Sequence, residues 1–166
     1  MTDMKCPIPK DQRPLIEYIN LKNSFEFNWT TQGTKSFFRT LIIISSVINF
    51  ILTSILECNN NNTNNRVSEF LLKIDISSTS ILIFLMLRVY LAWEYIYSRL
   101  NLATINYEES GWYDGQTWIK TPDLLLQDRL VVMYEVLPII KRLKLILIAL
   151  LCLFIIKIYT YIQLIK

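Results

Sequence analysis

Three apolar stretches, roughly Phe37–Leu56, Ile76–Tyr97 and Leu145–Ile165, set the range of folds open to this chain. About 20 apolar residues at 1.5 Å each cross the ~30 Å hydrocarbon core of a bilayer, and each stretch reaches that length. Buried helices of soluble proteins are usually shorter and keep one polar face. The run Leu145-Ile-Leu-Ile-Ala-Leu-Leu-Cys-Leu-Phe-Ile-Ile156 has no polar face at all. The expected fold is an all-α integral membrane protein. It has about three transmembrane helices and a small inside-facing cap that includes an amphipathic helix.

The basic residues fix an orientation. Residues 1–36 with Arg39, together with 98–144, carry 12 of the 17 lysines and arginines, whereas 57–75 and Lys166 carry 3. Arg88 and Lys157 fall inside apolar stretches. Alternate connecting segments that differ this much obey the positive-inside rule. The rule puts the N-terminus inside, 37–56 as the first span, 57–75 as an outside Asn-rich loop and 76–97 as the second span. The segment 98–144 is then inside, and 145–165 leads out.

Composition removes several chemistries. The chain has no histidine, which excludes histidine-based metal sites, histidine general bases and the usual axial haem ligand. Cys6, Cys58 and Cys152 are scattered and odd in number, so they form no disulfide or zinc framework. Residues 1–36 contain no apolar core of a signal peptide and carry Asp3, Asp11, Glu17 and Glu26, unlike a transit peptide. The sequence reads as mature. Abundant isoleucine and asparagine beside only three alanines indicate an AT-rich genome rather than a physical constraint.

The inside segments carry their own structural signals. Pro14 opens a short helix to about Lys22, because its missing N–H would be unpaired in a first turn anyway. Phe25, Phe27 and Trp29 then lead toward the first span. Thr121-Pro122-Asp123 reads as a cap, a first-turn proline and an early acid. It starts an amphipathic helix over 122–137 that ends near Pro138 and lies on the membrane surface or against the N-terminal segment. Lys141, Arg142 and Lys144 anchor the third span at the headgroups.

Polar residues within the spans are costly and therefore informative. Ser45, Ser46, Asn49 and Thr53 share a side of the first span, the pattern of a helix–helix contact. A charge near the bilayer centre costs at least ~2.5 kcal/mol on insertion scales, which singles out Arg88 and Lys157. Glu94 is the only acid within the stretches as bounded, and its angular offset from Arg88 disfavours a direct pair. The two bases either snorkel to opposite interfaces or, for Arg88, face the bundle interior or a partner.

The densest run of unusual residues is Tyr107-Glu-Glu-Ser-Gly-Trp-Tyr-Asp-Gly-Gln-Thr-Trp118, with two of the three glycines and two of the four tryptophans. Asp114-Gly115 is a hairpin-turn signal with aromatics alternating on both sides. Trp112, Tyr113, Asp114 and Trp118 make a candidate partner-binding surface, because such side chains are large, rigid and able to hydrogen-bond at one end. Glu108, Glu109 and Asp114 could bind a divalent cation through oxygen. A hydrogen-bonded turn with solvated acids is the simpler reading, since adjacent glutamates point apart.

The string Glu108-Glu-Ser-Gly-Trp-Tyr-Asp-Gly-Gln116, followed by Trp118, Lys120, Pro122 and Asp128-Arg-Leu130, resembles a family of uncharacterised membrane proteins. These are encoded by a hypothetical plastid reading frame, with relatives in cyanobacteria and the green lineage. Cys6-Pro-Ile-Pro, Gln12-Arg-Pro, Glu17-Tyr and Trp29 resemble the family's N-terminal pattern. The resemblance implies a plastid membrane, the thylakoid in particular, with the N-terminus stromal, and it implies no reaction, cofactor or nucleic-acid partner. The expected function is a non-enzymatic assembly, stability or acclimation factor of the photosynthetic apparatus. It would contact subunits of a photosynthetic complex through its stromal loop and sit in the lipid bilayer. The alternatives are a small oligomeric transporter subunit and a cofactor- or pigment-binding membrane protein.

Overall fold

A computed structural model describes residues 8–9, 12–59, 67–108 and 115–165. The elements are α1 (Pro14–Asn23), α2 (Asn28–Thr31), α3 (Thr34–Asn59), α4 (Val67–Asn101), β1 (Thr104–Glu108), β2 (Gly115–Ile119), α5 (Pro122–Val131), a π-helical turn (Val132–Val136) and α6 (Leu137–Ile165). Three helical segments, Thr34–Ile55, Glu69–Asn101 and Pro122–Leu164, are long and apolar enough to cross a membrane. The expected all-α architecture gains one small sheet.

That sheet is an antiparallel hairpin in which Ile105 faces Trp118 and Glu108 faces Gly115. Thr104–Glu108 alternates polar and apolar side chains, the period that suits a strand with one covered face, and Gly115–Ile119 pairs with it without that alternation. Ile8 and Ile105 form a small buried cluster with Trp118 packed on it. The turn predicted at Asp114-Gly115 falls in residues 109–114, outside those described apart from Gly115.

The helices run further than the apolar stretches. The second stretch begins at Ile76, yet α4 begins at Val67 and so takes Asp75 into the helix. The helix expected to end near Pro138 passes through it into α6. The reason is local: Leu137 N–H bonds to Val132 O, five residues back. Such a wide turn moves the carbonyl that a proline ring would otherwise strike, and the missing proline donor falls where the ladder is already interrupted.

The chain forms two compact units, one from 1–31 with 91–140 and one from 32–90 with 141–166. In the first, hereafter the hairpin unit, Tyr18, Trp93, Ile96, Leu100, Val132, Val136 and Ile139 are buried. In the second, the helical unit, α4 buries Ile74, Ser78, Leu82, Met86 and Val89, and α6 buries Leu143, Ile146 and Leu150. Steps of four and three residues between these positions keep one stripe of each helix covered.

Helix α3 behaves differently. Its most apolar window has no buried residue, and Ile42, Val47, Phe50 and Ile55 are exposed. Only its start is held firmly. Phe37 is buried, Arg142 stacks 5.0 Å from the centre of its ring, and Arg142 Nη1 donates to Gln32 O at 3.0 Å.

Candidate functional site

The hairpin unit contains Trp118 and Glu94, and its polar framework begins at the C-terminus of α4. The last carbonyls of any helix lack intrahelical donors and carry the negative end of the helix dipole. Lys120, immediately after β2, supplies both a donor and a positive charge. Its Nζ reaches Arg99 O at 3.1 Å, Leu100 O at 3.0 Å and Asp128 Oδ2 at 2.6 Å. Its own backbone N–H donates to Ala103 O at 2.9 Å, extending the hairpin ladder by one bond.

The Lys120 side chain is 0% exposed and that of Asp128 6% exposed. Desolvating two charges is expensive, and the attraction offsets that cost only when hydrogen bonds satisfy the rest of each group. Lys120 meets the condition with three acceptors around one ammonium. The pair therefore fixes the end of α4, the exit of β2 and the middle of α5 to one another.

A second polar link joins α1 to α4. Arg99 Nη1 donates to Glu17 Oε1 at 2.8 Å and to Tyr95 OH at 2.8 Å, and Nη2 donates to Gln12 O at 3.2 Å. The other Glu17 oxygen, Oε2, is buried without a donor among the described residues. Burial consequently raises the Glu17 pKa above its ordinary 4.5, with the charge of Arg99 opposing the shift.

A third link joins α1 to the π turn. Glu135 accepts from Tyr18 OH and from Lys22 Nζ, the latter at 2.6 Å. The Lys22 pKa is raised chiefly by its hydrogen bond to the Glu135 carboxylate, and burial pushes the Tyr18 phenol up. Trp93 completes the frame from within: its Nε1 donates to Thr30 Oγ1 at 2.9 Å, and both residues are fully buried. The 122–137 segment therefore lies against the N-terminal segment, one of its two expected positions.

Of the predicted partner-binding residues, Trp112, Tyr113 and Asp114 lie outside the described residues, as does Glu109. Trp118 is half-buried against Ile8 and Ile105. Together with Arg13, Leu124, Lys120 and Asp128 it lines a cavity of about 480 Å³. Among the described residues no three His, Cys, Asp or Glu side chains gather closely enough to hold a metal ion.

The charged residues singled out within the apolar stretches separate into different situations. Lys157 Nζ donates to Asp75 Oδ1 at 2.8 Å, an ion pair between α6 and α4 within the helical unit. Asp75 was not singled out from the sequence because it stands just before the apolar stretch; its place one residue before Ile76 was the available signal. Arg88 is exposed on α4, and Glu94 is half-buried on the same helix in the hairpin unit. The Ser45–Thr53 stripe satisfies itself. Asn49 donates to Ser45 O, Ser46 to Ile43 O and Thr53 to Phe50 O, each within α3.

The hairpin unit also has an outward face. Leu126, Leu130, Met133 and Tyr134 are all more than half exposed, Tyr134 at 78%. On the opposite side of the same helix Asp128, Val132 and Val136 are buried. Asp128 and the outward face were present in the sequence as a charge and as apolar residues of the 122–137 helix, and Lys120 as a charge just before it. What the sequence lacked was the three-dimensional partner of each.

No solved structure matches this chain. It is 45% identical over 139 residues to the uncharacterized protein ycf36 of Cyanophora paradoxa, covering 84% of this chain and 87% of that protein. It is 39% identical over 140 residues to the uncharacterized protein ycf36 of Pyropia yezoensis, covering 84% of each. The chloroplastic protein Conserved in the Green Lineage and Diatoms 27 of Arabidopsis thaliana is 39% identical over 137 residues, which cover 82% of this chain and 42% of that relative. Plastid-encoded and chloroplastic relatives support a plastid location for this chain. A family model described as CGLD27-like, conserved in the green lineage and diatoms 27, matches residues 6–149, and the chain belongs to that family.

Proposed function

We propose that this protein is a three-span plastid membrane protein, resident in the thylakoid, whose hairpin unit docks a partner protein. In that role it serves as a non-enzymatic assembly, stability or acclimation factor of the photosynthetic apparatus. The uneven distribution of lysine and arginine supports an orientation with residues 1–36 and 98–144 on the stromal side. Ion pairing of Lys157 with Asp75 fits spans two and three running in opposite directions.

The observation that carries the proposal is the helix around the π turn, which is apolar on both sides. Val132 and Val136 face inward, whereas Leu126, Leu130, Met133 and Tyr134 face outward. A contiguous exposed apolar patch on a helix whose other side is already buried marks an interaction surface. Methionine and tyrosine are also enriched where proteins meet. Lys141, Arg142 and Lys144 follow this face and hold the headgroup level before the third span begins, which leaves the face to the stroma and to a protein. Trp112, Tyr113, Asp114 and Trp118 remain candidate partner-binding residues in this reading.

The test is purification of a C-terminally tagged chain in mild detergent, followed by native gel separation and mass spectrometry. Stoichiometric subunits of a photosynthetic or biogenesis complex are expected in the same band. Leu130→Glu with Met133→Glu should release them while the hairpin unit stays folded. A lone homo-oligomer in the band would overturn the proposal and turn attention to Arg88, Glu94 and Lys157.

A further inference from the structure

The cavity beneath β2 is built for a ligand that the partner reading does not use. We infer that it binds an anionic amphiphile, a carboxylate or phosphate head on an apolar body, with Arg13 holding the head and Asp128 offering an acceptor beside it. The inference stands on the cavity itself and is independent of whether the outward helix face docks a protein.

Size and lining come first. Small-molecule sites are mostly apolar clefts of roughly 300–1,000 Å³ with a few placed polar groups. This cavity measures about 480 Å³, and Ile8, Ile105, Trp118 and Leu124 give it apolar walls. A flat indole wall suits an apolar body because it offers a large contact area in a fixed orientation.

The polar groups then select the head. Among the described residues three charged side chains line the cavity: Arg13, Lys120 and Asp128. Lys120 and Asp128 neutralise one another at 2.6 Å, so the described lining keeps the positive charge of Arg13. Arg13 donates through Nε to Ile8 O at 3.4 Å, a long bond, and its two terminal nitrogens meet no acceptor among the described residues. A guanidinium fork with two free N–H edges matches a carboxylate or phosphate in planar, two-bond geometry.

Asp128 adds a second determinant. Oδ2 accepts from Lys120, and Asp128 also lines the cavity. A carboxylate oxygen on the cavity wall favours a ligand that brings a hydroxyl or amide donor beside its acidic head. Lys120 has all three donors engaged, so it fixes Asp128 and makes no contact of its own with the ligand.

The experiment uses the full chain in nanodiscs of uncharged lipid, with tryptophan fluorescence and native mass spectrometry as readouts. Laurate is the probe, and dodecanol and dodecylammonium are its neutral and cationic counterparts. Laurate should saturate one site and shift the emission of Trp118, and the counterparts should not. Arg13→Gln should weaken laurate by about tenfold, the value of one lost charge-assisted hydrogen bond. Leu124→Trp, which fills the cavity and leaves Arg13 intact, should abolish the site. Nanodiscs containing phosphatidylglycerol separate the two sources: competition with laurate assigns the site to an anionic membrane lipid, and unchanged laurate binding assigns it to a free acid. Non-saturating laurate uptake, or equal binding by wild type, Arg13→Gln and Leu124→Trp, would overturn the inference.

Discussion

The two units of this chain are stabilised by different physics. In the hairpin unit, long-range polar links do the fastening: Trp93 to Thr30, Arg99 to Glu17, Glu135 to Tyr18 and Lys22, and Lys120 to Asp128. In the helical unit, apolar stripes recur along α4 and α6 beside the charged pair of Lys157 with Asp75. Helix α3 leaves its apolar window uncovered. Directional bonds fix one arrangement in water, where apolar contact alone would tolerate several. In the proposed membrane placement lipid supplies no hydrophobic drive between helices, and an uncovered α3 fits that setting.

The sharpest way to break this contrast is to remove half of the buried pair. Lys120→Met or Asp128→Leu alone should destabilise the hairpin unit by about 3–5 kcal/mol, because each leaves an uncompensated buried charge. The double variant should recover a large part of that loss in thermal unfolding followed by near-UV circular dichroism. Equal losses from the single and double variants would mean that the pair's own attraction, rather than the stranded charge, dominates.

Trp93→Ala follows, with an expected cost of about 3–5 kcal/mol from the cavity it leaves. Trp93→Phe should cost roughly 1 kcal/mol, since Thr30 keeps its bond to Phe27 O and loses only the indole donor. In the helical unit the corresponding change is smaller. Asp75→Asn or Lys157→Met should cost about 0.6–1.7 kcal/mol, the range of polar contacts between membrane helices, measured by steric trapping in bicelles. A loss as large as that at Lys120 would erase the distinction between the units.

The smallest effect is on pH. Burial raises the Glu17 pKa above 4.5 in the folded state, so the folded chain holds that proton more tightly than the unfolded one. Linkage then makes this contribution fully present below 4.5 and lost as pH rises through the folded-state pKa. Glu17→Gln should flatten that part of the stability profile between pH 4.5 and neutrality. An unchanged slope would assign the dependence to other groups.

Much of this architecture was legible in the residues. The apolar stretches located all three long helices, Pro14 and Thr121-Pro122-Asp123 located the starts of α1 and α5, and Asp114-Gly115 announced the hairpin. Helix ends were less legible, because hydropathy reports where a helix is apolar and not where its hydrogen bonds stop. That is why Asp75 fell outside the second stretch and Pro138 read as an end. The partners of Lys120, Arg99 and Glu135 were illegible for another reason: each lies on an element brought near only by tertiary folding. Of the candidate site, the sequence marked Trp118 by its aromatic company and Arg13, Lys120 and Asp128 only through the family resemblance, while nothing in it marked the cavity.

Photo-crosslinking from two positions tests the central claim most directly. Benzoylphenylalanine would replace Met133 on the outward face of the hairpin unit and, in a second chain, Val47 on the exposed face of α3, both in native plastid membranes. The account predicts a discrete protein adduct from position 133 and lipid adducts from position 47. Lipid adducts from position 133 with a discrete protein adduct from position 47 would contradict it and move the docking surface to α3.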